Sequence, residues 1–166
     1  MLWLLALSVG LVVIDQVTKA LVMVNLPVET DTLPIIRDFF HFTHVRNSGA
    51  VFGIGGDHGW LLFFFIFAAL AATVLFAVMF AKNNFGDKRT RWYALSLSLL
   101  MAGTAGNLID RIFQFDHQVV DFIDFRGIWP YVFNVADMCL CIGIGLFLFD
   151  QLFLEPKRVK KTDGGQ

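Results

Sequence analysis

The sequence predicts an all-α polytopic membrane protein with four transmembrane helices and a small β-rich platform outside the bilayer. Of its 166 residues, 57% are hydrophobic and 16% are charged, a more apolar composition than that of typical soluble domains. The apolar residues form four windows of 22 or 23 residues, each about 33 Å long as a helix and so able to cross a bilayer: 2–24, 60–81, 92–113 and 132–154. Because no repeat or linker divides the chain, we expect residues 1–166 to form a single domain.

The distribution of basic residues predicts how these windows are oriented. Lys and Arg favour cytoplasmic loops, and they are concentrated between the second and third windows and in the tail: Lys82, Lys88, Arg89 and Arg91, then Lys157, Arg158, Lys160 and Lys161. Segments 25–59 and 114–131 contain more acidic than basic residues. We therefore expect both chain ends in the cytoplasm and these two segments outside.

The outward segments predict short strands at the membrane surface. Residues 33–56 read LPIIRDFFHFTHVRNSGAVFGIGG, in which β-branched and aromatic residues lie between a proline and a cluster of glycines. The stretch from His117 to Phe125, HQVVDFIDF, alternates enough to predict another extended piece that leads to the fourth window.

Four histidines lie on the outer side of the predicted helices. His41 and His44 are three residues apart, and His58 and His117 lie in the same outward segments. Their segment does not have helical character and contains no H-E-x-x-H motif. We therefore expect surface histidines and no metal site, and the sequence indicates neither a cofactor nor nucleic-acid binding.

Polar residues inside the predicted spans indicate where the helices meet. An ionisable side chain there costs about 2.5–3.5 kcal/mol, so it should face protein or water and have a partner. Asp15 and Lys19 lie four residues apart on one helical face, and we interpret them as a structural polar pair. Asn107, Asp110 and Arg111 follow i, i+3, i+4 spacing, so they point the same way at the outer end of the third span.

The fourth span contains a carboxyl that lacks a matching cation. Asn134 and Asp137 repeat the i, i+3 spacing near its outer end, so the two polar faces can meet beneath the outer surface. The lysine of the first span can neutralise its neighbouring aspartate, and Arg111 can neutralise Asp110. These pairings leave Asp137 without a basic partner in any span.

A second carboxyl beside Asp137 would make a chemical site. Two close carboxyls repel and share one proton, so one can act as acid and the other as base. Asp121 and Asp124 lie just outside the span, and spacing alone does not separate them. Asp121 follows two valines and precedes Phe122, whereas Asp124 lies near Arg126 and is expected to be solvated. We expect Asp121 and Asp137 to pair and to activate a water against an amide.

Three other interpretations remain open at this point. Ser48 near His44, or the serines of the third span, could supply a nucleophile, but no G-x-S-x-G motif accompanies them. A small proton-coupled transporter would also use a membrane carboxylate, which would lie near the bilayer midplane. In a noncatalytic scaffold, the polar residues would only join the helices.

Five polar blocks follow one another along the chain: Asp15-x-x-x-Lys19, Asn47-x-Gly49-x-x-Phe52, Gly103-x-x-Gly106-Asn107-Leu108-Ile109-Asp110-Arg111, Val119-Val120-Asp121-Phe122 and Phe133-Asn134-x-Ala136-Asp137. In this order they resemble the lipoprotein signal peptidase (signal peptidase II) family of bacteria, and the resemblance covers nearly the whole chain. Two features depart from the family pattern: Ala102 stands where the family usually has a glycine, and the connection from Arg111 to Asp121 contains the polar stretch FQFDHQ.

This resemblance implies an aspartic endopeptidase that removes signal peptides from diacylglyceryl-modified prolipoproteins, on the N-terminal side of the lipidated cysteine. Asp121 and Asp137 match the catalytic aspartates. Further residues match positions that bind substrate or order the site: Asn47, Gly49, Asn107, Asp110, Arg111 and Asn134.

The resemblance also implies a cellular setting. The protein would lie in the bacterial inner membrane, with its active site near the periplasmic face. Apart from the resemblance, we expect it to work without a cofactor, as a monomer in contact with membrane lipid and prolipoprotein. The cyclic peptide globomycin, which occupies the substrate cleft of the family, would inhibit it.

Overall fold

Long helices dominate a computed structural model of the chain, which describes residues 2–49, 59–83, 85, 87 and 90–163. Within these residues, four helices are long and apolar enough to cross a membrane, which confirms the expected architecture. They are α1 (Leu2–Asn25), α2 (Gly59–Lys82), α3 (Arg91–Phe113) and a continuous fourth helix, in which α4 (Val135–Phe149) is followed by a π-helical turn (Asp150–Leu154) and by α5 (Glu155–Asp163). His58, Phe52, Lys88 and Arg89 lie outside the described residues.

Helix α3 is the centre of the bundle, since it packs against α1, α2 and α4. Small residues permit the tightest of these contacts. A Cβ at Gly103 would lie 2.5 Å from the backbone oxygen of Ala136 on α4, and one at Gly106 would lie 2.7 Å from a carboxylate oxygen of Asp15 on α1. Ala102, at the position where glycine was expected, is also buried. Close backbone approach of this kind is typical of membrane helix interfaces.

Segments 25–59 and 114–131 contribute three antiparallel strands in the order β1 (Thr32–Ile36), β2 (Phe40–Asn47) and β3 (Val119–Phe125). The expected strands are therefore present. The last strand begins at Val119 rather than His117, because His117 adopts a left-handed conformation with φ of 57° in the preceding turn. Strand β3 is largely buried, and its Asp121 pairs across the ladder with Val45 of β2.

The start of α4 is fixed by hydrogen bonds to its own first turn and to the sheet. Phe133 exchanges backbone hydrogen bonds with Ile123 of β3, at 2.7 and 3.1 Å, which holds the chain extended there. Asn134 then caps the helix, and Asp137 completes a capping box with it. The helix therefore begins at Val135, three residues after the start of the expected window.

The expectation that the histidines lie on the surface is wrong for two of them. His41 and His44 are each only 4% exposed, because the register of β2 against β3 shifts between Phe42 and Val45 and interrupts the alternation of faces. The Nδ1 atom of His44 contacts the backbone oxygen of Leu26 at 2.7 Å. His117 is exposed, as expected.

Candidate active site

Two carboxyl groups from different elements meet through one asparagine. Asp121 lies on β3 and is 1% exposed, whereas Asp137 lies in the first turn of α4 and is partly exposed. The Asn134 side chain donates from Nδ2 to Oδ1 of Asp121 at 2.6 Å, and its oxygen accepts from the backbone N–H of Asp137 at 2.9 Å. The helix cap and the strand together therefore hold both carboxyls.

Every oxygen of the two carboxyls accepts a hydrogen bond from nitrogen. The second oxygen of Asp121 accepts from Nδ2 of Asn47 at 2.8 Å. Asp137 accepts from Nδ2 of Asn107 at 2.8 Å and from the backbone N–H of Asn134 at 3.2 Å. Each carboxyl oxygen has two lone pairs, so each can also accept from a water. The site is therefore organised before any ligand arrives.

The orientation of each asparagine amide follows from the partner of its oxygen. The oxygen of Asn47 accepts from the backbone N–H of Gly49 at 2.8 Å, and that of Asn107 accepts from Nζ of Lys19 at 3.0 Å. Backbone N–H groups and ammonium groups can only donate. The amide nitrogens must therefore face the carboxyls.

The environment of Asp121 favours its protonated form. Burial raises the pKa of its carboxyl to about 7, and the nearby Asp137 carboxyl adds to the rise, while hydrogen bonds from Asn47 and Asn134 oppose it. A pKa of about 7 means that a proton is available in the site near neutral pH. Such a group can act as an acid in one step and as a base in another.

A buried ion cluster lies beneath the carboxyls. Nζ of Lys19 is 2.8 Å from Asp15 and 2.9 Å from Asp110, and all three side chains are at most 1% exposed. The predicted pair of Asp15 and Lys19 is therefore present. The prediction that Arg111 neutralises Asp110 is wrong, because α1 packs against α3 and brings Lys19 to Asp110 instead.

The ion cluster also holds backbone groups of the strand and of the fourth helix. Asp15 accepts from the backbone N–H of Ala136 at 2.9 Å, and Asp110 accepts from that of Val120 at 3.1 Å. Gln16 donates to Asp110 at 3.0 Å and to Asp15 at 3.1 Å. The sequence reasoning missed Gln16, because nothing in its spacing distinguishes it from an ordinary polar residue of α1.

Arg111 lies instead at a cleft beside Asp121. Its guanidinium donates to the backbone oxygen of Asn107 at 3.3 Å and lies over the ring of Phe65, 5.7 Å from the centroid. We call this space, of about 840 Å³, the polar cleft; its walls include Arg46, Asn47, Gly49, Phe65, Arg111 and Asp121. Phe65 is a second residue that the sequence reasoning did not single out, because it lies in a run of phenylalanines.

A second cleft, of about 700 Å³, opens beside Asp137. We call it the apolar cleft; its walls include Phe39, Trp129, Met138, Cys141 and Ile142, with Asp137 as the acidic residue among them. Tyr131 and Val132 line both clefts. Each carboxyl of the pair thus faces a different cleft, and the two clefts share one wall.

Asp124, the other outward candidate, has partners away from this pair. It accepts from the hydroxyl of Thr43 at 2.8 Å and from Arg126 at 3.1 Å. In the part of the chain that the structure describes, His, Cys, Asp and Glu side chains do not converge in threes as metal ligands would.

Comparison with known proteins identifies the family. The family model for signal peptidase (SPase) II matches residues 7–153. The lipoprotein signal peptidase of Brevibacillus brevis is 38% identical over 157 residues, which cover 95% of this chain and 99% of that one. That of Clostridioides difficile is 40% identical over 89% of this chain and 93% of its own length. That of Haemophilus influenzae is 39% identical over 96% and 89%, respectively.

Solved structures share the whole architecture. One bacterial membrane enzyme superimposes with a TM-score of 0.78 and 30% identity, over 92% of this chain and 94% of that chain. Another gives a TM-score of 0.74 with 28% identity over 100% and 93%. The chain therefore belongs to the signal peptidase II family and is a multi-pass membrane peptidase.

Proposed function

We propose that this protein is an aspartic endopeptidase that cleaves the signal peptide from diacylglyceryl-modified bacterial prolipoproteins, N-terminal to the lipidated cysteine. The observation that carries the proposal is the joining of Asp121 and Asp137 by Asn134, with an N–H donor at every carboxyl oxygen. Membership of the family supports the substrate, since its relatives are lipoprotein signal peptidases.

The two carboxyls take different roles in hydrolysis, one as the general base and the other as the general acid. The ionised carboxyl accepts a proton from water as the water oxygen attacks the carbonyl carbon of the scissile bond. The protonated carboxyl donates to the carbonyl oxygen, which gives a neutral tetrahedral intermediate. When the C–N bond breaks, the leaving nitrogen takes a proton from the site. The pKa of Asp121, raised by burial to about 7, supports the presence of the required proton near neutral pH.

The two clefts suit an amphiphilic substrate. The polar cleft offers Arg111 and Asn47 beside Asp121, where backbone carbonyls of an extended peptide could be bound. The apolar cleft beside Asp137 offers Trp129 and Met138 to hydrocarbon. Because both carboxyls and their asparagines come from one chain, a monomer is sufficient, and the proposed reaction uses no cofactor.

The proposed location is the bacterial inner membrane, with both chain ends in the cytoplasm and the carboxyl pair near the periplasmic face. The excess of basic residues in the inward loop and the tail supports this orientation. Large apolar side chains on the outer surface of α2, such as Phe63 and Phe67, are 68% and 73% exposed and suit contact with lipid.

The experiment that tests the proposal compares three single substitutions in purified enzyme. Asp121→Asn and Asp137→Asn should each lower kcat by about 10³-fold or more, because each removes half of an acid–base pair. Asp124→Asn, on the same strand as Asp121 and already paired with Arg126, is the matched control and should retain wild-type activity. Cleavage is measured by the mobility shift of a lipidated prolipoprotein, with the unlipidated precursor as a substrate control.

Globomycin should block this cleavage competitively. If a folded Asp121→Asn or Asp137→Asn enzyme cleaved the lipidated substrate at the wild-type rate, the carboxyl pair would have no part in the mechanism. If lipidated and unlipidated precursors were cleaved equally well, the proposed substrate class would be wrong.

A further inference from the structure

Each of the three N–H donors of Lys19 has a different partner. Two of them reach Asp15 and Asp110 in the buried ion cluster, at 2.8 and 2.9 Å. The third reaches the side-chain oxygen of Asn107 at 3.0 Å. Asn107 is the residue whose amide nitrogen contacts Asp137 at 2.8 Å. A single side chain, that of Asn107, therefore connects Lys19 to Asp137 of the proposed hydrolytic pair.

The charge of Lys19 selects one of the two orientations of the Asn107 amide. An inverted amide would turn its N–H groups toward the ammonium and its oxygen toward the carboxyl of Asp137. The ammonium cannot accept a hydrogen bond. The ionised carboxyl of Asp137 cannot donate one either, so both contacts would become repulsive.

We propose that Lys19 is a positioning residue for the hydrolytic pair: its ammonium holds the Asn107 amide so that the nitrogen faces Asp137 and the oxygen faces Asn134. This inference rests on the proposed function and adds a role for a residue that sequence analysis treated as purely structural. The oxygen of Asn107 also accepts from Nδ2 of Asn134 at 3.1 Å. Two of the three asparagines that contact the pair thus depend on the same cation.

Lys19 also influences the pair through its charge. Burial raises the pKa of Asp121, and the positive charge of Lys19 opposes that rise. Asp15 and Asp110 lie against the same ammonium and carry the opposite charge, so a variant that removes all three groups should not move the pH profile of cleavage in one direction.

The test must separate this role from the stability of the ion cluster. Lys19→Met alone would leave two buried carboxylates without their cation, which destabilises a fold strongly. The triple variant Asp15→Asn, Lys19→Met, Asp110→Asn removes all three charges together. The amide oxygens of the new asparagines can still accept from the backbone N–H groups of Ala136 and Val120.

The matched control is a second buried ion pair, which lies in the continuation of α4, at the other end of that helix from Asp137. Arg158 pairs with Asp150, which is fully buried at the π-helical turn. The double variant Asp150→Asn, Arg158→Met also removes a buried ion pair. It touches no residue of the hydrolytic pair, so it should retain the wild-type kcat and pH profile per folded molecule.

Steady-state cleavage of a lipidated prolipoprotein is measured for wild type, control and triple variant from about pH 5 to 9, with thermal unfolding to quantify folded enzyme. The triple variant should lose about 10–100-fold in kcat with little change in KM, as expected for loss of an orienting partner. Wild-type kcat in the folded triple variant would overturn the inference.

A second variant keeps the inference testable if the triple variant does not fold. Asn107→Leu retains every charge of the ion cluster, but it leaves Lys19 no amide to orient and Asp137 no amide donor. It should lower kcat while staying folded, and wild-type kcat in the folded variant would refute the positioning role. If the wild-type enzyme did not cleave the lipidated prolipoprotein, the proposed function would be wrong. If the wild type cleaved it and the variants cleaved it equally well, only this inference would be wrong.

Discussion

Substituting Gly103 by alanine should separate α3 from α4 and disable the site without unfolding the protein. The added Cβ would lie 2.5 Å from the backbone oxygen of Ala136, about 0.9 Å inside an ordinary contact of 3.4 Å. Since the obstacle is backbone, the helices must move apart. Asn107 lies one turn further along α3, and its hydrogen bond to Asp137 of α4 would lengthen from 2.8 to about 3.7 Å, beyond hydrogen-bonding distance.

The expected effects on stability and on activity differ in size. Overpacking costs about 1–3 kcal/mol, and the better helix propensity of alanine returns about 1 kcal/mol. The net loss of stability should therefore be about 0–2 kcal/mol. A displacement of about 1 Å at reacting groups lowers the rate by about 10²-fold. We therefore expect a folded enzyme with kcat reduced by about two orders of magnitude.

The assay is cleavage of a lipidated prolipoprotein, combined with thermal unfolding in detergent. Gly145→Ala is the matched control, because it lies on α4 and the added Cβ would meet no other described part of the protein within 4 Å. It should stabilise the helix slightly and leave kcat unchanged. If Gly103→Ala retained wild-type kcat, the close approach of the two helices would not be what sets the geometry of the pair.

Three further predictions concern charge and backbone conformation. Burial raises the pKa of Asp121 from 3.8 to about 7, so the native state binds this proton more tightly than the unfolded chain does. The resulting contribution to the free energy of unfolding is fully present below about pH 4 and is lost as the pH rises through 7. Asp121→Asn should therefore unfold at a higher temperature than wild type above pH 7, with the difference shrinking toward pH 4 in a thermal-shift series; a constant difference would contradict this. Gly49→Ala should lower kcat about tenfold. The φ angle of this residue is 86°, the new Cβ would lie 2.8 Å from the ring of Phe65, and the backbone N–H of Gly49 orients the amide of Asn47. Gly127→Ala, with φ of 78° and open space around it, suffers only the backbone strain and should retain activity in the same assay. Arg158→Met should destabilise the protein by about 3–5 kcal/mol, because it removes the guanidinium that pairs with buried Asp150. The unfolding temperature should recover in the double variant with Asp150→Asn. Activity per folded molecule should not change in either variant.

The sequence predicts the architecture well, because bilayer thickness fixes the length of an apolar helix and the spans can be recognised from it. Spacing within one helix is equally informative: Asn107 and Asp110 do point the same way, toward the centre of the bundle. The partner across a helix interface cannot be predicted in this way. Counting charges assigned Arg111 to Asp110, but only the packing of α1 on α3 shows that Lys19 takes that position.

Two further details depend on local irregularities that periodicity does not reveal. The register shift in β2 buries both His41 and His44, although alternation along a regular strand would place residues three apart on opposite faces. Asp150 lies within the fourth window, but its cation, Arg158, is eight residues further on, beyond a π-helical turn. The catalytic role of Asp121 and Asp137 stays a prediction that awaits the substitutions described above.

The capping box of α4 has a consequence for how the enzyme matures. Asp137 accepts from the backbone N–H of Asn134 and thereby helps to start the helix. One of the proposed reacting carboxyls is thus placed by the same hydrogen bonds that begin a membrane-spanning helix. Formation of the last span therefore already positions this carboxyl, and docking of the β-sheet against α4 adds Asp121.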